Sequence, residues 1–153
     1  MSDNIIPTLD SVEKMLQCLL GESVQAKSAP EGPDLSKPYV LAQYADEAGN
    51  VRRVVLCDLS LANSIGAAFS MIPAAVAADA TKAGNVADNI KVNLHEVLNV
   101  CVNLFTENSK ERLTLSNVEV HSSPDATPAL STSAPFTVNV PRYANGTMLA
   151  GAL

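Results

Sequence analysis

Apolar residues recur along the chain with two periods, one of about 3.6 residues and one of about 2, and each stretch of constant period marks an element. Val12, Met15, Leu16, Leu19 and Leu20 hold the helical spacing up to Gly21, with Asp10 and Glu13 spaced as the Asp variant of a capping box, so a first helix is expected there. A short extended segment at 24–27 leads into SAPEGPDLSKP, whose prolines and glycine predict an exposed loop. Residues 39–45 and 51–57 are rich in strand formers and flank Asp46-Glu47-Ala48-Gly49-Asn50, a connection suited to a hairpin.

Asp58 stands where a helix N-cap belongs, and the small and apolar residues that follow, up to Pro73, predict a helix packed closely on a sheet. AAVAADATKAG predicts a short helix ending at Gly84, and a strong helical period then runs from Asn85 to about Asn108. Leu113 to His121 reads as a strand whose apolar parity changes between Leu115 and Val118, the mark of a bulge or bend. After a Ser/Pro/Thr loop, Phe136, Val138 and Val140 alternate with polar residues, and Asn145-Gly146 predicts a hairpin turn into TMLAGAL. This order implies an α+β fold, an antiparallel-rich sheet covered by helices. At 153 residues, one domain spanning 1–153 is expected.

The long helix is the most informative segment. At 100° per residue Ile90, Leu94, Val97, Leu98, Cys101, Leu104 and Phe105 fall in one arc, which predicts the core face. The opposite arc gathers Asn89, Asn93, Glu96, Asn99 and Asn103, with Val92 and Val100 among them. Asparagine is a mediocre helix former, so propensity does not explain this face. It is either a solvated surface or a contact surface, because a carboxylate and an amide three residues apart point the same way and can engage one partner.

Composition narrows the choices. The net charge of −6, with ten scattered Lys and Arg and no Trp, offers neither a basic stripe nor a stacking platform, which argues against nucleic acid as a ligand. No run reaches the roughly 18 apolar residues of a membrane span, and the polar start lacks a secretory signal, so a cytoplasmic protein without membrane attachment is expected. Cys18, Cys57 and Cys101 are odd in number and sit in apolar patterns, which predicts buried reduced thiols. His95 and His121 have no metal-ligand spacing, no glycine-rich phosphate loop precedes a helix, and no serine sits in a nucleophile elbow. No metal or cofactor bound by this chain is expected.

The hairpin, the small-residue helix, the Glu96-Val97-Leu98-Asn99 helix and the closing PFTVNVPRYANGTMLAGAL together resemble the CheC/CheX/FliY family of chemotaxis phosphatases over residues 39–153. With one Glu-x-x-Asn helix the arrangement is CheX-like. The resemblance implies that Glu96 grips a lysine of a phosphorylated response regulator, while Asn99 enters its active site and orients the water that attacks the aspartyl phosphate. The divalent metal would then sit on the partner receiver domain. Asn89, Val92, Asn93, Val100 and Asn103 would be partner-binding residues around that catalytic pair. The family signature has Asp or Ser four residues before the Glu, where this chain has Val92, and its proline is matched only loosely by Pro124. That incomplete signature keeps open a noncatalytic interaction or homodimerisation module on the same scaffold, docking through Val92 and Val100.

Overall fold

The computed structural model describes residues 6–107 and 111–153. In chain order the elements are α1 (Leu9–Leu20), β1 (Gln25–Ser28), β2 (Tyr39–Ala45), β3 (Val51–Asp58), α2 (Leu59–Phe69), α3 (Ala74–Lys82), α4 (Asp88–Val100), α5 (Asn103–Thr106), β4 (Thr114–His121), β5 (Thr132–Asn139) and β6 (Gly146–Ala152), with a 3-10 turn at Pro124–Ala126. The strands form one six-stranded sheet in the order β1-β5-β6-β3-β2-β4, and every pairing is antiparallel. The expected α+β architecture is therefore present.

Alternation of side chains divides the sheet into two unlike faces. Val40, Ala42, Tyr44, Val55, Cys57, Phe136, Val138, Met148 and Ala150 join Val12, Leu16, Ile65, Ile90, Leu94 and Leu98 in the main core under the helices. Tyr39, Leu41, Val54 and Leu56 face the other way, beneath Leu35 and Leu130 from loops. The expected bulge in β4 is present at Ser116, where the register against β2 shifts and the serine hydroxyl donates to the Gln43 carbonyl. At the β2–β3 turn, Asp46 Oδ1 accepts the N–H groups of Ala48 and Asn50, and Gly49 supplies a φ of +87°.

Several sequence expectations need correction. The cap of α1 is Thr8, not Asp10: its hydroxyl accepts from the Ser11 N–H while the Ser11 side chain accepts from the Thr8 N–H. The predicted long helix is two helices, and its predicted end at Asn108 lies outside the described residues, as does the polar start through Ile5. The break has a local cause. The buried Tyr44 hydroxyl donates to the Leu98 carbonyl at 2.6 Å, the acceptor that Val102 would use in a continuing helix. The Val102 N–H turns to Asn99 O at 3.4 Å instead, and the following turn tightens through Leu104 to Cys101 and Phe105 to Val102.

The β5–β6 turn is also not at Asn145-Gly146. Tyr143 N–H bonds to the Val140 carbonyl across Pro141-Arg142, and Gly146 already belongs to β6. Gly146 is needed for another reason: a Cβ there would collide with Asp58 Oδ1 and Leu61 of α2. Of the cysteines, Cys57 and Cys101 are buried but Cys18, on α1, is exposed. No helix among the described residues is long and apolar enough to cross a membrane.

Candidate functional site on helix α4

Helix α4 is set in place from below by α2. Gly66 lets the two helices approach so closely that a Cβ there would stand 2.5 Å from Ile90 Cγ2 and 2.8 Å from the Ile90 carbonyl oxygen. Asn93 locks the pair: its Nδ2 donates to the Gly66 carbonyl at 2.9 Å and to the Ser70 hydroxyl at 2.5 Å. At the other end of α2, Asp58 caps the helix through Leu61 N–H and holds the start of β6 through Thr147 N–H. Burial raises the Asp58 carboxyl above its ordinary 3.8, against these two hydrogen bonds.

The predicted core face of α4 is buried as expected, through Ile90, Leu94, Val97 and Leu98. The opposite face does not behave as one surface. Asn93 is half-buried and its amide NH2 is committed to α2. Val100 and Asn103 line a groove of about 540 Å³ against Met15, Cys18 and Leu19 of α1. Asn89, Val92, Glu96 and Asn99 remain open to solvent, with Val92 68% exposed. Glu96 and Asn99 lie three residues apart on one side of the helix, and neither side chain has a hydrogen-bonding or ionic partner among the described residues. Nearby, Lys91 lies 3.9 Å from Asp88, with both side chains well exposed.

What this arrangement can do chemically is limited and specific. An exposed carboxylate can attract a cation, and an exposed amide can offer a donor and an acceptor to water without repelling an anion. The buried thiols of Cys57 and Cys101 are not available as nucleophiles, because desolvation pushes both up, Cys101 to about 12. Among the described residues no three His, Cys, Asp or Glu side chains converge as metal ligands would. Pro124 is not brought to this face. It follows Ser123, whose carbonyl accepts from the Tyr39 hydroxyl at 2.8 Å, and Tyr39 belongs to the loop-covered side of the sheet. A cavity of about 590 Å³ lies elsewhere, between the α1–β1 turn, the end of α2 and the β5–β6 turn, and contains neither Glu96 nor Asn99.

Sequence reasoning did not single out Gly66, Ser70 and Met71. Gly66 carried a usable signal, a glycine inside a run of small residues in a helix. Met71 carried none, because the backbone conformation it adopts normally selects glycine.

No family model matches the chain, and no curated protein matches it in sequence. Its fold is that of the CheC/CheX/FliY type. Among solved structures it is similar to CheX in the CheX-CheY-BeF3-Mg complex from Borrelia burgdorferi, with a TM-score of 0.60, 12% identity and 94% of each chain covered. The FliM middle domain from H. pylori superposes with a TM-score of 0.63 at 9% identity, covering 94% of this chain and 84% of that one. FliY from Thermotoga maritima gives 0.55 at 11% identity over 95% of this chain and 83% of that one. FliM of the same fold is also found in complexes with SpeE and with FliG. At these identities the likeness establishes the fold alone.

Proposed function

We propose that this chain binds a phosphorylated response-regulator receiver domain through the open face of α4 and accelerates hydrolysis of its aspartyl phosphate. The observation that carries the reading is the pair Glu96 and Asn99, exposed side by side and uncommitted, on a helix that α2 holds rigidly. Glu96 supplies the carboxylate for a lysine ammonium of the receiver. Asn99 reaches the phosphorylated aspartate and holds a water in line with phosphorus. The water oxygen bonds to phosphorus, the bond to the aspartyl oxygen breaks, and the regulator's carboxylate and inorganic phosphate are the products. Alignment and charge placement are what such a transfer needs, and the receiver's own divalent metal balances the phosphate charge.

The test is phosphate release from a panel of phosphorylated receivers with wild type, Glu96→Ala and Asn99→Ala. Loss of Asn99 should slow the accelerated decay by roughly 10² or more with the fold intact, by analogy with removing a positioning donor. Loss of Glu96 should mainly weaken binding. Equal decay with wild type and Asn99→Ala sinks the proposal.

Val92 at the position of the signature Asp or Ser, together with the complexes that FliM makes on this fold, favours a second reading in which the same face docks a protein without chemistry. Stable binding of a partner with unchanged phosphate decay would select it. If the partner is a second copy, Val100→Asp should dissociate the dimer.

A further inference from the structure

Helix α2 ends in a Schellman motif. The Ile72 N–H bonds to the Ala67 carbonyl at 2.9 Å and the Met71 N–H to the Ala68 carbonyl at 3.3 Å, which places Met71 at the position after the cap with φ +58°. That conformation crowds any Cβ and is the usual place for glycine. Here it holds a methionine that is 80% exposed, at the edge of the cavity between the α1–β1 turn, the end of α2 and the β5–β6 turn. Phe69, two residues earlier, is 38% exposed. Both flank Ser70, whose hydroxyl is 2.5 Å from the amide of Asn93, and Asn93 follows the exposed Val92 on α4. Glu96 is one turn beyond Val92, and Asn99 the next.

We propose that Met71, with Phe69 and Val92, is the apolar anchor for the receiver domain that Glu96 and Asn99 engage, so that docking extends from α4 onto the end of α2. This rests on the reading of α4 given above. A flexible thioether suits a contact that must adapt to a partner surface. Charge selects the occupant: a second copy, at a net charge of −6, would bring like charge against the unpaired Glu96 carboxylate, whereas a receiver presenting an ammonium beside an apolar patch matches both features.

The experiment compares wild type, Met71→Gly, Met71→Asn and Asn99→Ala on receiver domains from the same cell. It measures affinity for the beryllofluoride-loaded receivers and KM and kcat for phosphate release from the phosphorylated ones. Met71→Gly relieves the backbone and should raise Tm by roughly 2–4 °C. The same substitution should weaken binding by roughly 10-fold or more and raise KM to match, with kcat unchanged. Met71→Asn, which also tolerates the left-handed conformation, should lose binding equally and thereby separate the missing side chain from added chain flexibility. If both variants bind as wild type does, the inference is overturned even where Asn99→Ala abolishes turnover. If they weaken binding while Asn99→Ala changes nothing, the anchor stands and the catalytic reading falls. Wild type binding no receiver overturns the assignment of the occupant.

Discussion

At the end of α2 the N–H groups of Met71 and Ile72 reach back to the carbonyls of Ala68 and Ala67; at the end of α3 those of Gly84 and Asn85 reach back to Thr81 and Ala80, both at 3.1 Å. The hydrogen bonding is the same and the residue in the left-handed position is not: Gly84 has φ +79° and Met71 has φ +58°. Helix α3 ends as its own stability dictates. Helix α2 ends with a residue that strains the turn and leaves its side chain in water, beside the helix that carries Glu96 and Asn99. Two ends with one geometry thus separate what folding asks for from what the fold alone does not explain.

The contrast depends on α2 being fixed against α4, so the strongest perturbation is Gly66→Ala. Its Cβ meets Ile90 Cγ2 at 2.5 Å and the Ile90 carbonyl at 2.8 Å, so backbone must move, and a loss of about 1–3 kcal/mol is expected in urea unfolding. An unchanged midpoint would show that α2 and α4 are not close-packed there. Next, Gly84→Met should destabilise by roughly 1–2 kcal/mol, the cost of an L side chain in the left-handed region. Met71→Gly should stabilise by somewhat less, about 1 kcal/mol, because glycine also frees the unfolded chain. If both swaps shift the midpoint in the same direction, the comparison breaks.

Asn93→Ala removes the hydrogen bonds to Gly66 and Ser70 and should cost about 1 kcal/mol. The smallest effect concerns the other end of α2. The folded pKa of Asp58 is raised above 3.8, so its protonated form is favoured by folding. Its contribution is therefore fully present below 3.8 and is lost as pH rises through the raised folded value. Asp46 titrates the opposite way, its carboxyl held low first by the Asn50 N–H, so its contribution is present above 3.8 and lost as pH falls through the lowered value. Unfolding midpoints of Asp58→Asn and Asp46→Asn against pH should diverge from wild type with opposite slopes.

Much of the fold was legible because periodicity reports burial. The β2–β3 hairpin, the Asp58 cap, the α3 stop at Gly84 and the bulge at Ser116 each follow from residues local in sequence. What failed was set at a distance. The break after α4 comes from Tyr44, 54 residues before the carbonyl it captures, and the place of Gly146 is set by Asp58 and Leu61 across the sheet. The candidate face was legible only as an angular arc. Sequence angles could not show that Asn93 is spent on α2, that Val100 and Asn103 line the α1 groove, or that the methionine at the end of α2 is exposed.

Single-turnover decay of a phosphorylated receiver at saturating concentrations of this chain removes docking from the comparison and leaves the role of Asn99 alone. Under those conditions Met71→Gly should dephosphorylate the receiver as fast as wild type, and Asn99→Ala roughly 10²-fold more slowly. Decay at the wild-type rate with Asn99→Ala would contradict the assignment of α4 as a site of chemistry.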